Sequence, residues 1–249
     1  MKKLLTLLLT SWIFISTTVA NDLFLYDAAE KVELADVIDN KLVSQSTTIG
    51  KTYTLTNNLS VSTSTNATVT YALPYRIAIH QKENSAAYFN ATPIEYVNTF
   101  KLPEVVKVKD SQFNFSAQGE FYVVSDSAKQ TTIGTSMGLI VFEKATLFVK
   151  AGDKFTHVYL VDGIATVLDN KSSKKKKELK AGDYLVITPQ ASLSPKEASV
   201  RNLGNSFSIK EVEDVEKDAH VAELKSLQTK LDNVLFVNYD ANVFGVKFK

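Results

Sequence analysis

Ser136 lies in a Gly-x-Ser-x-Gly pattern, Gly134-Thr-Ser136-Met-Gly138, which marks a nucleophilic serine in some hydrolases. In those enzymes a sharp turn lifts the serine between a strand and a helix, where a histidine and an acid activate it. Here the next residues are Leu-Ile-Val-Phe, a strand pattern, and the downstream histidines His157 and His220 lie in a strand pattern and a helix pattern. We therefore predict a turn with a surface serine, and no catalytic residue in this chain.

No set of side chains has the spacing of a metal or cofactor site. His80, His157 and His220 are far apart in the sequence, and no His-x-x-x-His pair occurs among them. Cysteine is absent, which excludes thiolate ligands and thiol catalysis. The nine glycines form no phosphate-binding pattern such as G-x-G-x-x-G. We therefore expect neither a metal nor a bound cofactor.

Positive charge is concentrated in one run, Lys174, Lys175, Lys176 and Lys177. The simplest interpretation is a solvated hairpin tip, because charged side chains favour exposure. Alternatively, the run contacts an anionic surface such as lipopolysaccharide, an acidic glycan or a protein patch, and these four lysines are the candidate anion contacts. The whole chain carries 28 basic and 27 acidic side chains, so no general charge bias predicts a nucleic-acid partner.

The first twenty residues have the pattern of a secretory signal peptide. Met1, Lys2 and Lys3 are followed by an apolar run over residues 4–15 and by small residues that end at Ala20. An uncleaved anchor is the alternative, but the run is shorter than the about 20 apolar residues that span a bilayer. We expect cleavage after Ala20, no later membrane span, and a mature protein that works in the periplasm or outside the cell.

Residues 51–190 consist of short runs rich in Val, Ile, Thr, Tyr and Phe, separated by Gly, Pro, Asn and Asp. This texture predicts an all-β fold, a solenoid-like or roll-like stack of short strands. Asp162-Gly163 lies between two such runs and is the residue pair that a tight hairpin prefers. The clearest runs are residues 67–71, 76–80, 120–124, 138–142, 146–150, 157–161, 164–168 and 184–188.

A short internal repeat occurs within these strands. Lys150-Ala-Gly-Asp153 recurs as Lys180-Ala-Gly-Asp183. An aspartate that follows glycine in a turn most often bonds its own backbone. The repeat therefore predicts two matched turns, and not a pair of catalytic carboxylates.

An amphipathic helix is predicted near the C-terminus. Val and Leu recur every three or four residues among Glu, Lys and Asp, which predicts a helix over about residues 211–235. Leu224, Leu227 and Leu231 form its narrow apolar stripe. This stripe either packs on the β domain or meets a partner, so the three leucines are candidate partner contacts.

These changes in sequence pattern divide the chain into four segments. The boundaries follow the end of the signal peptide, the start of the strand-rich region and the start of the helical pattern. The predicted segments are residues 1–20, a signal peptide; 21–50, an N-terminal extension; 51–190, the β domain; and 191–249, a C-terminal segment with the helix and closing strands at about 234–240 and 243–248.

Three segments of the β region resemble the FecR-type domain of bacterial envelope proteins. They are Thr132-Ile-Gly134-Thr135, residues 157–167, and residues 178–189 with their Leu-Lys-Ala-Gly sequence. In that family a Gly-Thr pair, a strand that ends in glycine before a second strand, and a closing Leu-x-Ala-Gly segment occur in this order. The resemblance covers about residues 55–190 and implies an exported β domain used for binding, without implying a particular ligand.

We therefore expect an exported, non-enzymatic FecR-like module of the bacterial cell envelope, with a binding or structural role and an envelope protein or glycan as its partner. The second hypothesis is a regulator that signals through a membrane partner, because FecR itself is a membrane-spanning partner of a sigma factor. The third is an envelope hydrolase hidden in the β scaffold. A pocket with converging acids of perturbed pKa would favour the enzyme, and a dry, closed β core with an exposed apolar helix stripe would favour partner binding. The oligomeric state stays open.

Overall fold

The computed structural model describes residues 22–38, 41–55, 59–89, 113–169, 172–188, 207–208 and 214–244. Within them the chain forms one antiparallel sheet and one C-terminal helix, so the expected all-β class with a single helix is confirmed. The predicted signal peptide lies outside the described residues. The elements are β1 (Asp22–Ala29), β2 (Val32–Ile38), β3 (Lys41–Gln45), β4 (Thr52–Thr54), β5 (Leu59–Thr63), β6 (Thr68–Leu73), β7 (Ile77–Gln81), β8 (Ala86–Phe89), β9 (Phe113–Gly134), β10 (Gly138–Gly152), β11 (Phe155–Asp169), β12 (Ser172–Lys180), β13 (Tyr184–Ile187), β14 (Phe207–Ser208) and the helix α1 (Asp214–Phe244).

Strands β9, β10 and β11 form the centre of the sheet. The main path runs β14-β13-β11-β10-β9-β7-β6-β1-β4, with β12 paired to β11. A branch, β9-β8-β5-β2-β3, begins at β9 because its residues 115–118 pair with β8 while residues 121–125 pair with β7. The residues predicted as an N-terminal extension supply β1, β2 and β3, so they are part of the same sheet.

The central strands are buried on both faces. On β9, Phe121 and Val123 point into the main core, whereas Tyr122 and Val124 point to the opposite face, beneath α1. This follows from the two-residue period of a strand, which sends successive side chains to opposite faces. Burial on both faces explains why these strands read as nearly continuous apolar runs.

Asp162-Gly163 is not a hairpin turn, and the predicted short strands are parts of longer ones. Strand β11 runs through both residues without a break, and the hairpin that joins β10 to β11 turns at Asp153, between the paired residues Gly152 and Phe155. Gly163 instead sits in an irregular part of the ladder with a φ of +90°. The pair was misread because glycine with positive φ serves β-bulges as well as turns.

The closing strand predicted at residues 234–240 is wrong, because α1 continues to Phe244. Val234 and Leu235 lie three and four residues after Leu231, and all three are buried against the sheet. Helical spacing thus keeps them on the same apolar stripe, which a strand could not do. A short apolar run does not distinguish helix from strand by periodicity alone. Residues 245–249 of the second predicted closing strand lie outside the described residues.

The lysine run lies on a strand and not at a hairpin tip. Lys176 and Lys177 are exposed residues of β12, paired with Leu168 and Val167 of β11. The pairing passes from Asp169 with Ser172 directly to Leu168 with Lys176, so residues 173–175 of β12 have no counterpart on β11. Among the described residues β12 pairs with β11 alone, which makes it an edge strand.

Candidate functional site

A cleft of about 530 Å³ lies between α1 and the outer face of the sheet. We refer to it as the helix–sheet cleft. It combines charged, hydroxyl and aliphatic side chains from five different parts of the chain. Its lining residues are Arg76, Val124, Ser125, Asp126, Lys144, Ala145, Thr146, Asp162, Gly163, Asp232 and Leu235.

The floor of the cleft is formed where the sheet is irregular. The register of β10 shifts against β9 between Phe142 and Lys144, and it shifts against β11 between Thr146 and Leu147. Such bulges bend a strand and re-aim its side chains, and they are frequent beside binding sites. The cleft therefore coincides with a bend that runs across three neighbouring strands.

Gly163 permits the close approach of β10 and β11 at this bend. A Cβ atom added to Gly163 would lie 2.3 Å from the carbonyl oxygen of Lys144 and 2.9 Å from the Cα of Ala145. Backbone atoms cannot move aside as a flexible side chain could. Both this contact and the positive φ therefore require glycine at this position.

A turn at the edge of the cleft contains two left-handed residues that are not glycine, and one of them, Arg76, lines the cleft. Tyr75 and Arg76, in the turn between β6 and β7, have φ values of 66° and 63°. Such backbone conformations are unfavourable for residues with a Cβ and cluster at ligand-binding sites. The turn is held by the backbone N–H of Asp126, which donates to the carbonyl of Arg76 at 3.1 Å, and by the Lys129 ammonium 4.4 Å from the Tyr75 ring centroid.

The basic side chains of the cleft are both paired with Asp126. Its Oδ2 lies 2.7 Å from Nη2 of Arg76, and its Oδ1 lies 3.0 Å from Nζ of Lys144. Asp162 and Asp232 are exposed carboxylates, and neither forms an ion pair with another described residue. Asp232 accepts a hydrogen bond from Nε2 of Gln228 at 2.8 Å. The cleft therefore retains net negative charge.

A polar network fixes the N-terminal half of α1 on the sheet. Glu223 accepts a hydrogen bond from the hydroxyl of Tyr122 at 2.7 Å, and its other oxygen pairs with Nζ of Lys82 at 2.7 Å. Burial alone would raise the pKa of Glu223, but these two hydrogen bonds and the Lys82 charge outweigh it and lower that pKa. Burial raises the pKa of Tyr122, so its hydroxyl stays a donor.

Two histidines flank this network. The His220 ring stacks on Phe148 with centroids 3.8 Å apart, and its Nδ1 lies 3.2 Å from the Tyr122 hydroxyl. His80 lies in β7, with Nδ1 2.9 Å from the Thr70 hydroxyl. Burial and the positive charge of Lys230 lower the pKa of His80 from 6.5 to about 4. His80 is therefore a neutral, hydrogen-bonded part of the sheet at ordinary pH.

The candidate partner contacts on α1 face the sheet of the same chain. Leu224 and Leu231 are buried, and Leu227 is half-buried against the same cluster. The stripe therefore packs on the β domain, the first of its two expected uses, and it is not exposed to a partner. Of the candidate anion contacts, Lys176 and Lys177 are exposed on β12, while the side chains of Lys174 and Lys175 lie outside the described part.

Ser136 lies in the turn between β9 and β10. Its hydroxyl donates a hydrogen bond to the carbonyl of Gly152, and strand β10 follows it, as the sequence predicts. The two Lys-Ala-Gly-Asp segments do not form matched turns, because Gly152 is the last residue of strand β10 whereas Gly182 lies in a turn after β12 with a φ of +90°. In this second turn the carboxylate of Asp183 accepts a hydrogen bond from the backbone N–H of Lys180 at 2.8 Å. Within the described ranges, no group of three or more His, Asp or Glu side chains is placed to hold a metal ion.

No sequence pattern indicates the helix–sheet cleft. Its charged residues come from the β6–β7 turn, three strands and the helix, so no local pattern connects them. The nearest sequence signal is Asp162-Gly163, which predicts a turn. A glycine between two strand patterns also indicates a bulge, and that interpretation would have located the cleft floor.

No protein-family model and no curated protein matches this chain. Two solved structures of a candidate anti-sigma factor from Parabacteroides distasonis are similar to it, with 14% and 16% sequence identity and TM-scores of 0.39 and 0.38. Each match covers 52% of this chain and 54% of the solved chain, so this chain spans about half the length of the structures it matches. The resemblance to FecR-type domains stays a prediction.

Within the described residues, no helix has both the length and the hydropathy of a membrane span.

Proposed function

We propose that this chain is an exported, non-enzymatic FecR-like module of the bacterial cell envelope, and that it binds its partner, an envelope protein or glycan, in the helix–sheet cleft. The observation that carries the proposal is the construction of the cleft. Its volume of about 530 Å³ lies within the range of about 300–1,000 Å³ that is typical of ligand sites. Its lining mixes aliphatic and charged groups, as binding sites do.

The local backbone supports the same conclusion. A bend in three strands, a glycine in close backbone contact and the left-handed residue Arg76 all border this cleft. A left-handed conformation at a residue with a Cβ costs roughly 1–3 kcal/mol. Local features that disfavour folding are expected where they shape a functional site.

The non-enzymatic part of the proposal rests on how the polar groups are used. Both oxygens of Asp126 are engaged in ion pairs, so this carboxylate is not free to transfer a proton. Ser136 donates to a backbone carbonyl and has the place of a turn residue. His80 is buried in the sheet against Thr70. None of the three has the arrangement of an activated nucleophile and its base.

Export is supported by the basic, apolar and small-residue pattern of residues 1–20. We expect the mature chain to appear in the periplasmic or secreted fraction with Asn21 as its first residue, as read by mass spectrometry of the purified protein. An intact Met1 on a membrane-integral product would contradict export.

Binding in the cleft is tested by photocrosslinking in living cells. A photoreactive amino acid replaces Thr146, which lines the cleft, and in a matched control it replaces Thr52, an exposed residue of the edge strand β4. We expect a defined crosslinked partner from position 146 and none from position 52. Equal products from both positions, or none from position 146, would contradict the proposal. A membrane-embedded protein as the captured partner would favour the regulator among the hypotheses from the sequence.

A further inference from the structure

We propose that the helix–sheet cleft recognises a basic side chain, lysine or arginine, in a peptide segment of its partner. This inference rests on the proposed function and adds the chemistry of the ligand. It follows from which charges in the cleft are already satisfied and which are not, together with the apolar surface between them.

The positive charges of the cleft are already partly neutralised. Arg76 and Lys144 are each in contact with one oxygen of Asp126, at 2.7 and 3.0 Å. An anionic ligand would compete with this carboxylate for both bases. It would also approach Asp162 and Asp232, which would repel it. The cleft is therefore poorly suited to phosphate, sulfate or an acidic side chain.

The negative charges, in contrast, are available. Asp162 comes from the irregular part of β11, and Asp232 comes from α1, so the sheet and the helix each contribute one carboxylate to the cleft. Neither is in an ion pair with a described residue. A cation in the cleft would gain two charged partners without breaking an existing ion pair.

The apolar lining of the cleft favours a cation that carries an aliphatic stem. Val124 and Leu235 belong to the cluster beneath α1 and also line the cleft, together with Ala145. Lysine and arginine carry aliphatic stems that pack on such surface while the charged head reaches a carboxylate. A volume of about 530 Å³ exceeds what one such side chain fills, so the adjoining main chain of the partner also enters. A basic peptide therefore fits better than a metal cation.

The test is a titration of the purified chain, followed by NMR, with the peptide N-acetyl-Gly-Arg-Gly-amide. The matched probes are the same peptide with Glu in place of Arg, and butylguanidinium, a cation of the same charge without a peptide backbone. We expect the Arg peptide to shift the amide signals of Gly163 and Asp232, to bind more tightly than butylguanidinium, and to bind more weakly as the salt concentration is raised. The Glu peptide should produce no such shifts. Equal binding of butylguanidinium would overturn the assignment to a peptide.

Two single variants, their double variant and one control variant locate the site. Asp162→Asn and Asp232→Asn should each weaken the binding of the Arg peptide by about two- to fivefold. The double variant should weaken it by about tenfold, as expected for exposed ion pairs. Asp153→Asn, at an exposed position in the β10–β11 turn outside the cleft, should bind as the parent does. Thermal melts check that all four variants fold. Unchanged binding in the double variant would overturn this inference. If the Arg peptide fails while Thr146 still captures a partner, the proposed function stands and this inference alone fails.

Discussion

At the level of single residues, Gly163 lines the cleft and allows the backbones of β10 and β11 to approach closely there. Two other glycines have positive φ values and open space where a Cβ would stand, Gly50 and Gly182. Gly182 has the same φ as Gly163, +90°, and is thus a matched control for the backbone conformation alone. Any difference between the two alanine variants therefore reports the contact of Gly163 with Lys144.

We expect Gly182→Ala to lower the free energy of unfolding by about 1 kcal/mol, the cost of a left-handed conformation for a residue with a Cβ. Gly163→Ala should lose about 1–3 kcal/mol more, because its Cβ would meet the Lys144 carbonyl and force β10 away from β11. Urea unfolding of both variants measures the difference. Equal losses would show that the close approach at residue 163 contributes nothing.

His80 should make the fold sensitive to mild acid. Its pKa is lowered to about 4 in the folded chain, whereas the unfolded chain has the ordinary value of 6.5. The unfolded state therefore binds more protons between these values, so stability is lost as pH falls from about 6.5 to about 4, by up to roughly 3 kcal/mol. The Glu223 pKa is lowered from 4.5, so its contribution to stability is lost as pH falls below about 4.5.

The matched variant for this prediction is His80→Gln, which keeps a polar partner for Thr70 but does not titrate. Urea melts between pH 7.5 and 4.5 should show a steep loss of stability in the parent chain and a shallower one in the variant. Parallel pH profiles would show that His80 is not the titrating group.

At the level of elements, the helix α1 is held by its apolar stripe. Leu231 belongs to this stripe and is fully buried between the helix and the sheet. Leu231→Ala should lower the free energy of unfolding by about 2–5 kcal/mol, the usual range for a truncated core leucine. Lys225→Ala, on the exposed face of the same helix, should change it by less than about 0.5 kcal/mol. If Leu231→Ala melts as the parent does, α1 does not pack on the sheet in solution.

The lysines of β12 should protect a sheet edge. Edge strands present unpaired backbone groups, and lysine side chains keep other strands away from them. Replacing Lys176 and Lys177 with glutamine should change stability by less than about 0.5 kcal/mol but increase self-association, as measured by light scattering at matched concentration. If the variant neither self-associates nor loses binding to anionic vesicles, the lysines have neither the protective role nor the anion-binding role.

The classes of the elements were predictable from the sequence, but their ends were not. Short runs rich in β-branched and aromatic residues predicted the sheet, and the three-to-four-residue period predicted the helix through Leu224 and Leu231. The helix end was missed because Val234-Leu-Phe-Val suits both a strand and a buried helix. The lengths of β9, β10 and β11 were missed because bulges depend on contacts with neighbouring strands, which local propensity does not contain.

At the level of the whole molecule, the helix–sheet cleft exists because one helix covers part of a sheet face that would otherwise be exposed. The same strands supply the main core on one face and the cleft floor on the other. Its residues lie up to about 160 positions apart, from Arg76 to Leu235, and only the assembled topology brings them together. For this reason no sequence motif predicts the cleft, whereas the lysine run and the serine motif are each contiguous in the sequence.

The most direct test of binding in the cleft is to fill it. Thr146→Trp would occupy the cleft, while Thr52→Trp would add the same side chain at an exposed position on β4. The measurement is the amount of the partner identified by photocrosslinking that copurifies from the cell envelope with each tagged variant, at equal protein level and with thermal melts as a check on folding. We predict that the Thr146 variant loses the partner and that the Thr52 variant keeps it. Full retention of the partner by a folded Thr146→Trp variant would contradict binding in the helix–sheet cleft.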